Sequence, residues 1–401
     1  MKFHFHNPTE VFFGPGEFKR AGDLAAGIGR KCLLVTGQGS VERLGYLDRL
    51  KEMLETAGVE HVHFPGIEPN PHLETCQEAA RTAINAGCDS IVGLGGGSVM
   101  DACKAIAAGY FDPDGLWDYI GHGQGRAKPI EQALPIMVIS TLAATGSEMD
   151  SGGVITRAAT NEKCVIGSPL LFPKIALVDP ELTLSVPLDY TMDGVFDMGV
   201  HVMESYFNGY QDTPLQARII EGFLLAVFEQ GEKLFHAPDN LKLRGDLHWP
   251  SVLALSGFFT AGREGSYPIH VLEHPLSGHF DISHGRGLAL IQPRWMWYVL
   301  PEAPQIFADF AVNVMKVVPS GDALKDAREG VRALCRWLDR VGLFITLDDL
   351  GIDDEGALDR AAEDCLRLSS GRDGRIGGVK SLDLEDVRTI YQMGDSKDFM
   401  V

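Results

Sequence analysis

The stretch Ser90-Ile-Val-Gly-Leu94-Gly95-Gly-Gly-Ser98-Val-Met-Asp101 decides the fold of the first half of this 401-residue chain. Its apolar beginning is typical of a buried strand, and the run from Val99 to Ala108 is typical of a helix. The glycines between them let the backbone approach a phosphate closely, and the amides of the first helical turn attract the anion. A plain tight turn is the alternative, but it needs fewer glycines. The predicted phosphate-binding residues are Gly95, Gly96, Gly97 and Ser98.

Strands and helices alternate on both sides of this turn. Further strands are predicted at Cys32–Thr36, Val59–Phe64, Leu134–Ser140 and Ile175–Val178, with helices at Val41–Ala57 and Leu73–Ala86. Such alternation predicts an α/β domain with a doubly wound, mostly parallel sheet over residues 1–189. The glycine pattern differs from G-x-G-x-x-G, so an ordinary Rossmann domain is not expected.

The second half of the chain has helical patterns instead. Helices are predicted at Tyr190–Phe207, Pro214–Phe235, Trp249–Gly262, Pro268–Gly278, Ala323–Val341 and Gly356–Ser369. Strand-like runs are few, so we expect an all-helical domain over residues 190–401. Two domains suit a chain of this length.

Composition limits the partners and the compartment. The formal charge of −20 makes nucleic acid and anionic membranes unlikely partners. The seven cysteines form no C-x-x-C pair, and the beginning of the chain lacks the apolar region of a signal peptide. No apolar run approaches the roughly 18 residues needed to cross a bilayer. We therefore expect a cytoplasmic protein.

Two more loops follow predicted strands and therefore face the ligand crevice of an open α/β sheet. The first contains Gly37, Gly39 and Ser40, with Arg43 one turn later; it lacks an acidic residue, and so tolerates a 2′-phosphate. A plain turn is its alternative. The second is Thr141-Leu-Ala-Ala-Thr145-Gly-Ser147-Glu148, whose hydroxyl groups suit either cofactor binding or helix capping.

A cluster of histidines marks a possible metal site. His270 and His274 share one helical face, and a short loop holding Gly278 is expected to fold His284 back toward them. Asp197 and His201 have the same i, i+4 spacing, which for that pair alone is more typical of a solvated helix face. Together, one carboxylate and two or three imidazoles suit a divalent ion. Three other histidines are interpreted as ordinary loop or surface residues: His236, His248 and His279.

These motifs resemble the iron-containing (group III) alcohol dehydrogenase family over nearly the whole chain, in particular its butanol dehydrogenase and NADPH-dependent aldehyde reductase branch. The motifs that carry the resemblance are Phe12-Phe-Gly-Pro-Gly16, Glu68-Pro-Asn-Pro71, Gly95-Gly-Gly-Ser-Val-Met-Asp101, Thr145-Gly-Ser-Glu148, Asp179-Pro180, Asp197-x-x-x-His201, His270-x-x-x-His274-Pro-Leu and His284-Gly285. The resemblance implies a dehydroquinate synthase-like architecture: an α/β domain followed by an all-α domain.

The resemblance also implies roles for individual residues. The implied metal ligands are Asp197, His201, His270 and His284, with His274 beside them as a proton relay. The implied cofactor contacts, besides the glycine turn and the loop Gly37–Ser40, are Asn70, Asp101, Thr141, Thr145, Ser147 and Lys163. The family's usual threonine-rich stretch reads Thr141-Leu-Ala-Ala here, which weakens the roles of Thr141 and Thr145. The missing acidic residue in the first loop favours NADP(H) over NAD(H).

The expected activity is reversible hydride transfer between NAD(P)H and a small aldehyde or primary alcohol, with Fe²⁺ in the site and Zn²⁺ also possible. Expected pocket residues are Asp150, Ser151 and Phe258, and a strand Glu10–Phe13 is expected to pair with a neighbour in a homodimer. Two alternatives remain open. One is a glycerol dehydrogenase-like or dehydroquinate synthase-like enzyme, and the other is a catalytically idle nucleotide-binding or metal-binding protein.

Overall fold

The computed structural model describes residues 2–121, 127–160, 162–209, 211–263, 265–352, 355–369 and 374–393. The chain divides into two compact units. The α/β unit comprises His6–Val186 and Asp239–Ser256, and the helical unit comprises Met1–Phe5, Pro187–Pro238 and Gly257–Val401. This partition differs from the expected 1–189 and 190–401 chiefly because residues 239–256 group with the α/β unit.

The α/β unit is built on a parallel sheet. Its strands are β1 (Glu10–Phe13), β2 (Lys31–Gly37), β3 (Glu60–Ile67), β4 (Ser90–Gly95), β6 (Ile136–Ser140) and β9 (Ile175–Val178). They lie in the order β1-β9-β6-β4-β2-β3, and every neighbouring pair is parallel. The predicted fold class is therefore confirmed. The interior strands are apolar at almost every position because helices in such folds cover both faces of the sheet.

A small antiparallel sheet in the same unit was not predicted. It contains β5 (Ile120–Gly121), β7 (Gly152–Arg157) and β8 (Glu162–Gly167), in the order β5-β8-β7. The alternation that marks such strands is weak here, because β7 begins with two glycines and β8 with two charged residues. β1 pairs with β9 of its own chain and lies at one edge of the main sheet.

The helices of the α/β unit are α1 (Ala21–Ala26), α2 (Ser40–Arg43), α3 (Tyr46–Thr56), α4 (Leu73–Ala86), α5 (Gly97–Gly109) and α8 (Leu241–Ala254). The single helix predicted over Val41–Ala57 is wrong, because Gly45 takes a left-handed φ of 70° between α2 and α3. Glycine alone adopts that conformation without strain. The prediction for Trp249–Gly262 is also wrong: α8 begins after an Asn240 cap and ends before Gly257, whose φ is 80°.

The helical unit contains α6 (Leu188–Asn208), α7 (Pro214–His236), α9 (Pro268–Phe280), α10 (His284–Val299), α11 (Pro304–Asn313), α12 (Ala323–Arg340), α13 (Glu355–Ser369) and α14 (Leu384–Gln392). Part of its core is a group of aromatic rings in which Phe207 stacks on Phe307 with ring centroids 4.6 Å apart. Trp295 lies beside both rings. Among the described helices, none is long and apolar enough to cross a membrane.

Candidate metal centre and nucleotide-binding turn

Helix α6 supplies the first two side chains of the metal centre. Residues Thr191 to Phe207 of this helix are all buried, so Asp197 and His201 lie inside the helical unit and not on a solvated face. Their i, i+4 spacing places both side chains on one side of the helix. Asp197 Oδ1 lies 3.4 Å from His201 Nδ1.

Helices α9 and α10 supply the other histidines. The chain reverses at Asp281, a non-glycine residue with φ of 52°, and the expected loop at Gly278 is wrong because Gly278 lies within α9. Gly285 and Gly287 then allow α10 to approach its neighbours. A Cβ on Gly285 would lie 2.6 Å from Asp193 Cα, and one on Gly287 would lie 2.5 Å from Glu273 Oε1. Only glycine fits at such distances.

Four side chains converge as a result. Asp197 Oδ1 lies 3.5 Å from His270 Nε2 and 3.8 Å from His284 Nε2, in addition to its contact with His201. Three of these atoms are buried without a hydrogen-bond partner among the described residues: Asp197 Oδ1, His201 Nδ1 and His270 Nε2. Buried polar atoms left unpaired are costly, and here they point at one another. Asp197, His201 and His270 offer ligand atoms within 4.8 Å of one another, and His284 adds a third imidazole beside Asp197. Such a donor set fits a divalent ion.

Electrostatics of the cluster favour a cation. Burial lowers the pKa of His201 to about 3, and Asp197 only partly opposes this. Burial also acts against a charged His270, but the carboxylates of Glu204 and Asp197 outweigh it and raise the pKa of His270 to about 10. The histidines in turn hold the pKa of Asp197 below its usual value despite burial. A proton and a divalent metal therefore compete for His270.

Two buried glutamates that sequence reasoning missed stand behind the histidines. Glu204 Oε2 lies 2.5 Å from His270 Nδ1, and Glu273 Oε2 bonds to His284 Nδ1. Both side chains are fully buried. The available signal was spacing: Glu204 comes seven residues, or two turns, after Asp197, and Glu273 follows His270 within the same helix.

His274 lies next to this cluster. Its ring centroid is 5.7 Å from that of His284 and 6.4 Å from that of His270. Glu273, His274 and His284 also offer ligand atoms within 4.8 Å of one another. The structure therefore brings His274 within reach of the same space, half-buried.

Of the three histidines interpreted as loop or surface residues, two agree with that interpretation and one does not. His279 is bonded to Asp364, and His236 is exposed at the end of α7, both outside the cluster. The interpretation of His248 as a loop or surface residue is wrong. It is fully buried in α8, 2.9 Å from Ser140 Oγ at the end of β6. Burial lowers its pKa to about 3.

The glycine turn of the α/β unit is tightly packed. Gly95 ends β4 and Gly97 begins α5, two residues before the predicted beginning of the helix at Val99. A Cβ on Gly97 would lie 2.6 Å from Thr145 Cγ2, and one on Gly95 would lie 2.5 Å from Val99 Cγ2. Ser98 Oγ donates to the carbonyl of Pro69, which brings the loop of Asn70 to the turn.

The hydroxyl loop lies beside the same turn. Thr141 N donates to the carbonyl of Gly95 at 3.0 Å, and Thr145 Oγ1 accepts from Ser147 N at 3.2 Å. Ser147 Oγ donates to Asp101 Oδ1 at 2.6 Å and accepts from Lys104 at 2.6 Å. Asp101 and Ser147 thus belong to a buried polar network.

Four other predicted residues lie at the edges of this network or beyond it. Asp150 approaches Lys104 to 4.0 Å, and Lys163 lies opposite Thr156 in the small sheet. Of the remaining expected pocket residues, Ser151 belongs to the α/β unit and Phe258 to the helical unit.

The first loop has mixed charge. Gly39 has φ of 91° and caps α2, which begins at Ser40. A Cβ on Gly39 would lie 3.4 Å from Arg43 Nη1 and 3.8 Å from Glu42 Oε2. The Glu42 carboxylate also lies 4.0 Å from His63 Nε2. A cation and an anion, both exposed, therefore flank the end of β2.

Comparison with known proteins places both halves of the chain in one family. The family model for iron-containing alcohol dehydrogenase matches residues 8–180, and the model for the C-terminal part of the Fe-containing alcohol dehydrogenase family matches residues 191–392. The chain belongs to the iron-containing alcohol dehydrogenase family. Its fold and its enzyme class are therefore those of an iron-type alcohol dehydrogenase, which disfavours the glycerol dehydrogenase-like, dehydroquinate synthase-like and idle alternatives.

Individual members of the iron-containing alcohol dehydrogenase family agree with this. A probable NADH-dependent butanol dehydrogenase of Bacillus subtilis is 38% identical over 98% of this chain and 99% of its own. NADPH-dependent aldehyde reductase YqhD of Escherichia coli is 31% identical over 88% of this chain and 89% of its own. The crystal structure of an NADH-dependent butanol dehydrogenase from Thermotoga maritima matches with a TM-score of 0.91, at 35% identity and covering 98% of both chains.

Proposed function

We propose that this chain interconverts small aldehydes and primary alcohols with NAD(P)H, using a divalent metal held by Asp197, His201, His270 and His284. The main supporting observation is the convergence of three imidazoles on the buried Asp197 Oδ1, with three of the four facing atoms left unpaired: Asp197 Oδ1, His201 Nδ1 and His270 Nε2. The bound ion supplies Lewis acidity for an alcohol or carbonyl oxygen. Fe²⁺ is the proposed ion because the family is iron-containing, and Zn²⁺ suits the same donor set.

We assign to His274 the transfer of the proton. It is half-buried beside the cluster, in contrast to the deeply buried His201 and His270. A histidine in that position exchanges a proton between the substrate oxygen and solvent, as general acid–base catalysis requires. The ligand histidines are held in place by buried carboxylates, so they are poorly suited to that exchange.

We assign to the glycine turn the binding of the cofactor pyrophosphate. The close approach of α5 to the Thr145 loop leaves backbone, and not side chains, at the beginning of the helix. NADP(H) is favoured because Gly37, Gly39 and Ser40 present no carboxylate and Arg43 lies beside Gly39. Glu42 acts in the opposite direction, and the similar proteins are named for NADH as well as NADPH.

The proposal also covers the roles of the two domains, the cellular compartment and the oligomeric state. The α/β domain (1–189) carries the cofactor, and the helical domain (190–401) carries the metal and the chemistry. All seven cysteines are buried and outside any disulfide, as suits a reducing cytoplasm. A homodimer is proposed because β1 is the edge strand of its sheet.

The decisive experiment is metal analysis combined with an aldehyde panel. Protein purified without oxygen is assayed for iron and zinc and for aldehyde-dependent loss of NADH and NADPH absorbance. His270→Ala is expected to lose metal and at least a thousandfold in turnover together, since Lewis-acid polarisation contributes several kcal/mol. Unchanged metal content in His270→Ala would refute the ligand assignment. No turnover of any aldehyde or alcohol by metal-loaded wild type would refute the activity.

A further inference from the structure

We infer that Glu204 and Glu273 are positioning residues that fix two of the three metal-facing histidines, His270 and His284, and hold the cation by charge. The inference rests on the proposed metal function. It concerns how tightly the site retains a metal, and not which reaction follows.

Glu204 fixes His270 from two directions. One oxygen, Oε2, meets the ring at Nδ1 at 2.5 Å. The other, Oε1, accepts from the backbone of Ile269 at 2.5 Å and of His270 at 3.4 Å. A single carboxylate thus anchors both the imidazole and the first turn of α9, whose amides have no helical partners.

Glu273 fixes His284 in an equivalent way. Its Oε2 meets the ring at Nδ1, and its Oε1 accepts from Ser277 Oγ. The absence of a side chain on Gly287 makes the space for Oε1. Glu273 therefore links α9 to the beginning of α10 at the point where His284 enters the site.

Both contacts determine which ring atom faces the metal. An acceptor at Nδ1 keeps the hydrogen on that nitrogen, so the Nε2 lone pair is free. His270 Nε2 and His284 Nε2 are the atoms that approach Asp197, at 3.5 and 3.8 Å. The glutamate behind each histidine therefore orients Nε2 as the ligand atom, and on His270 a metal would have to displace a proton from that nitrogen.

Charge adds to this orientation. Glu204 and Glu273 are fully buried and Asp197 nearly so, which makes three carboxylates around three imidazoles. Buried carboxylates need a positive partner close by. A divalent cation would meet Asp197 directly and would be attracted by the two glutamates through His270 and His284, and it carries more charge to offset the carboxylates than a neutral or monovalent occupant. The arrangement thus favours tight and selective retention of a divalent ion.

The test measures metal affinity. Glu204→Gln and Glu273→Gln are compared with wild type by competition of metal-free protein with a chelator for Zn²⁺ and, without oxygen, for Fe²⁺. Each change is expected to weaken binding roughly 10- to 100-fold, as loss of outer-sphere partners does elsewhere. The control is Glu221→Gln, a buried glutamate of the same unit that binds Tyr206 and Asn313 instead, and it should stay within about twofold.

The aspartate variants distinguish a glutamate that holds the metal by charge from one with a purely structural role. Glu204→Asp and Glu273→Asp keep the charge but not the length, whereas glutamine keeps the shape but not the charge. If charge holds the metal, the aspartate variants bind it more tightly than the glutamine variants; the reverse order overturns the inference. Circular dichroism of the metal-free proteins verifies folding, and if the glutamine variants unfold, aspartate variants with wild-type affinity overturn the inference.

Failure of the inference and of the proposed function give different results. If both glutamine variants bind metal within about twofold of wild type while His270→Ala does not bind it, the glutamates do not position the ligands and the metal site stands. If His270→Ala binds metal as wild type does, the metal site itself is wrong. The spectrum of Co²⁺-substituted protein gives a second readout, and it is expected to change in the glutamine variants but not in Glu221→Gln.

Discussion

The glycine turn at the end of β4 and the histidine cluster of α6, α9 and α10 both suit charged ligands, but the chain builds them in opposite ways. The turn is contiguous in sequence and offers backbone, with glycines chosen because neighbouring side chains leave no room for a Cβ. The cluster joins residues far apart in sequence and offers side chains, each held by a second buried group. The binding chemistry of the glycine turn can therefore be predicted from a short stretch of sequence, whereas that of the histidine cluster cannot.

The largest effect is expected in the histidine cluster, from His274→Ala. If His274 carries the proton and the ligands hold the metal, this variant keeps its metal and loses turnover by about a hundredfold or more. Metal content and turnover number are measured on the same preparation. Loss of metal together with activity would instead make His274 a ligand and break the division of roles within the cluster.

The matching change in the glycine turn is Gly97→Ala. The new methyl group would lie 2.6 Å from Thr145 Cγ2, so the turn must shift and nucleotide binding is expected to weaken by roughly tenfold or more. The affinity for NADPH is measured by fluorescence, with metal content expected to remain as in wild type. Gly167→Ala is the control, because nothing lies within 4 Å of its Cβ position. Equal nucleotide affinity in both variants would argue against the turn as the phosphate site.

A smaller effect is expected at the first loop, where charges of opposite sign flank Gly39. Arg43→Gln should lower the preference for NADPH over NADH roughly fivefold, and Glu42→Gln should raise it by a similar factor, the size of an exposed ion pair. The ratio of kcat/KM for the two cofactors is the measurement. Equal ratios in wild type and both variants would show that neither residue reads the 2′ position.

A separate effect, on stability and not on activity, concerns the pH dependence of unfolding in the α/β unit. The pKa of buried His248 is lowered from 6.5 to about 3, so the unfolded state binds its proton more readily. The stability it contributes is complete above about pH 6.5 and is lost as the pH falls toward 3, by about 1.4 kcal/mol per pH unit. Chemical unfolding between pH 7 and 5 should show a flatter slope for His248→Gln.

Exposed His236 provides the comparison for that experiment. His236→Gln is expected to retain the wild-type pH slope because its imidazole lies at the surface. If His248→Gln and wild type lose stability in parallel, the buried histidine is not the group responsible. Refolding reversibility at each pH is checked by return of the native circular dichroism signal.

Much of the fold was predictable because its signals are local. Apolar runs located β2, β4 and β9, of which the first two end at a glycine. The spacing of Asp197 and His201 placed them on one helix face. Other features depend on partners distant in sequence. The reversal at Asp281 uses a conformation that glycine usually adopts, so Gly278 attracted the prediction instead. The burial of His248 depends on α8, which follows α6 and α7 in sequence but belongs to the α/β unit.

The sequence by itself determined the parallel α/β fold, the glycine turn and the family of this protein, because strand hydrophobicity and turn glycines act over a few neighbouring residues. Only the tertiary structure decided that Glu204 and Glu273 stand behind the metal-facing histidines. A glutamate in a helix has no local mark of burial. Its role is set by which helix packs against it, and that depends on close approaches such as those at Gly285 and Gly287.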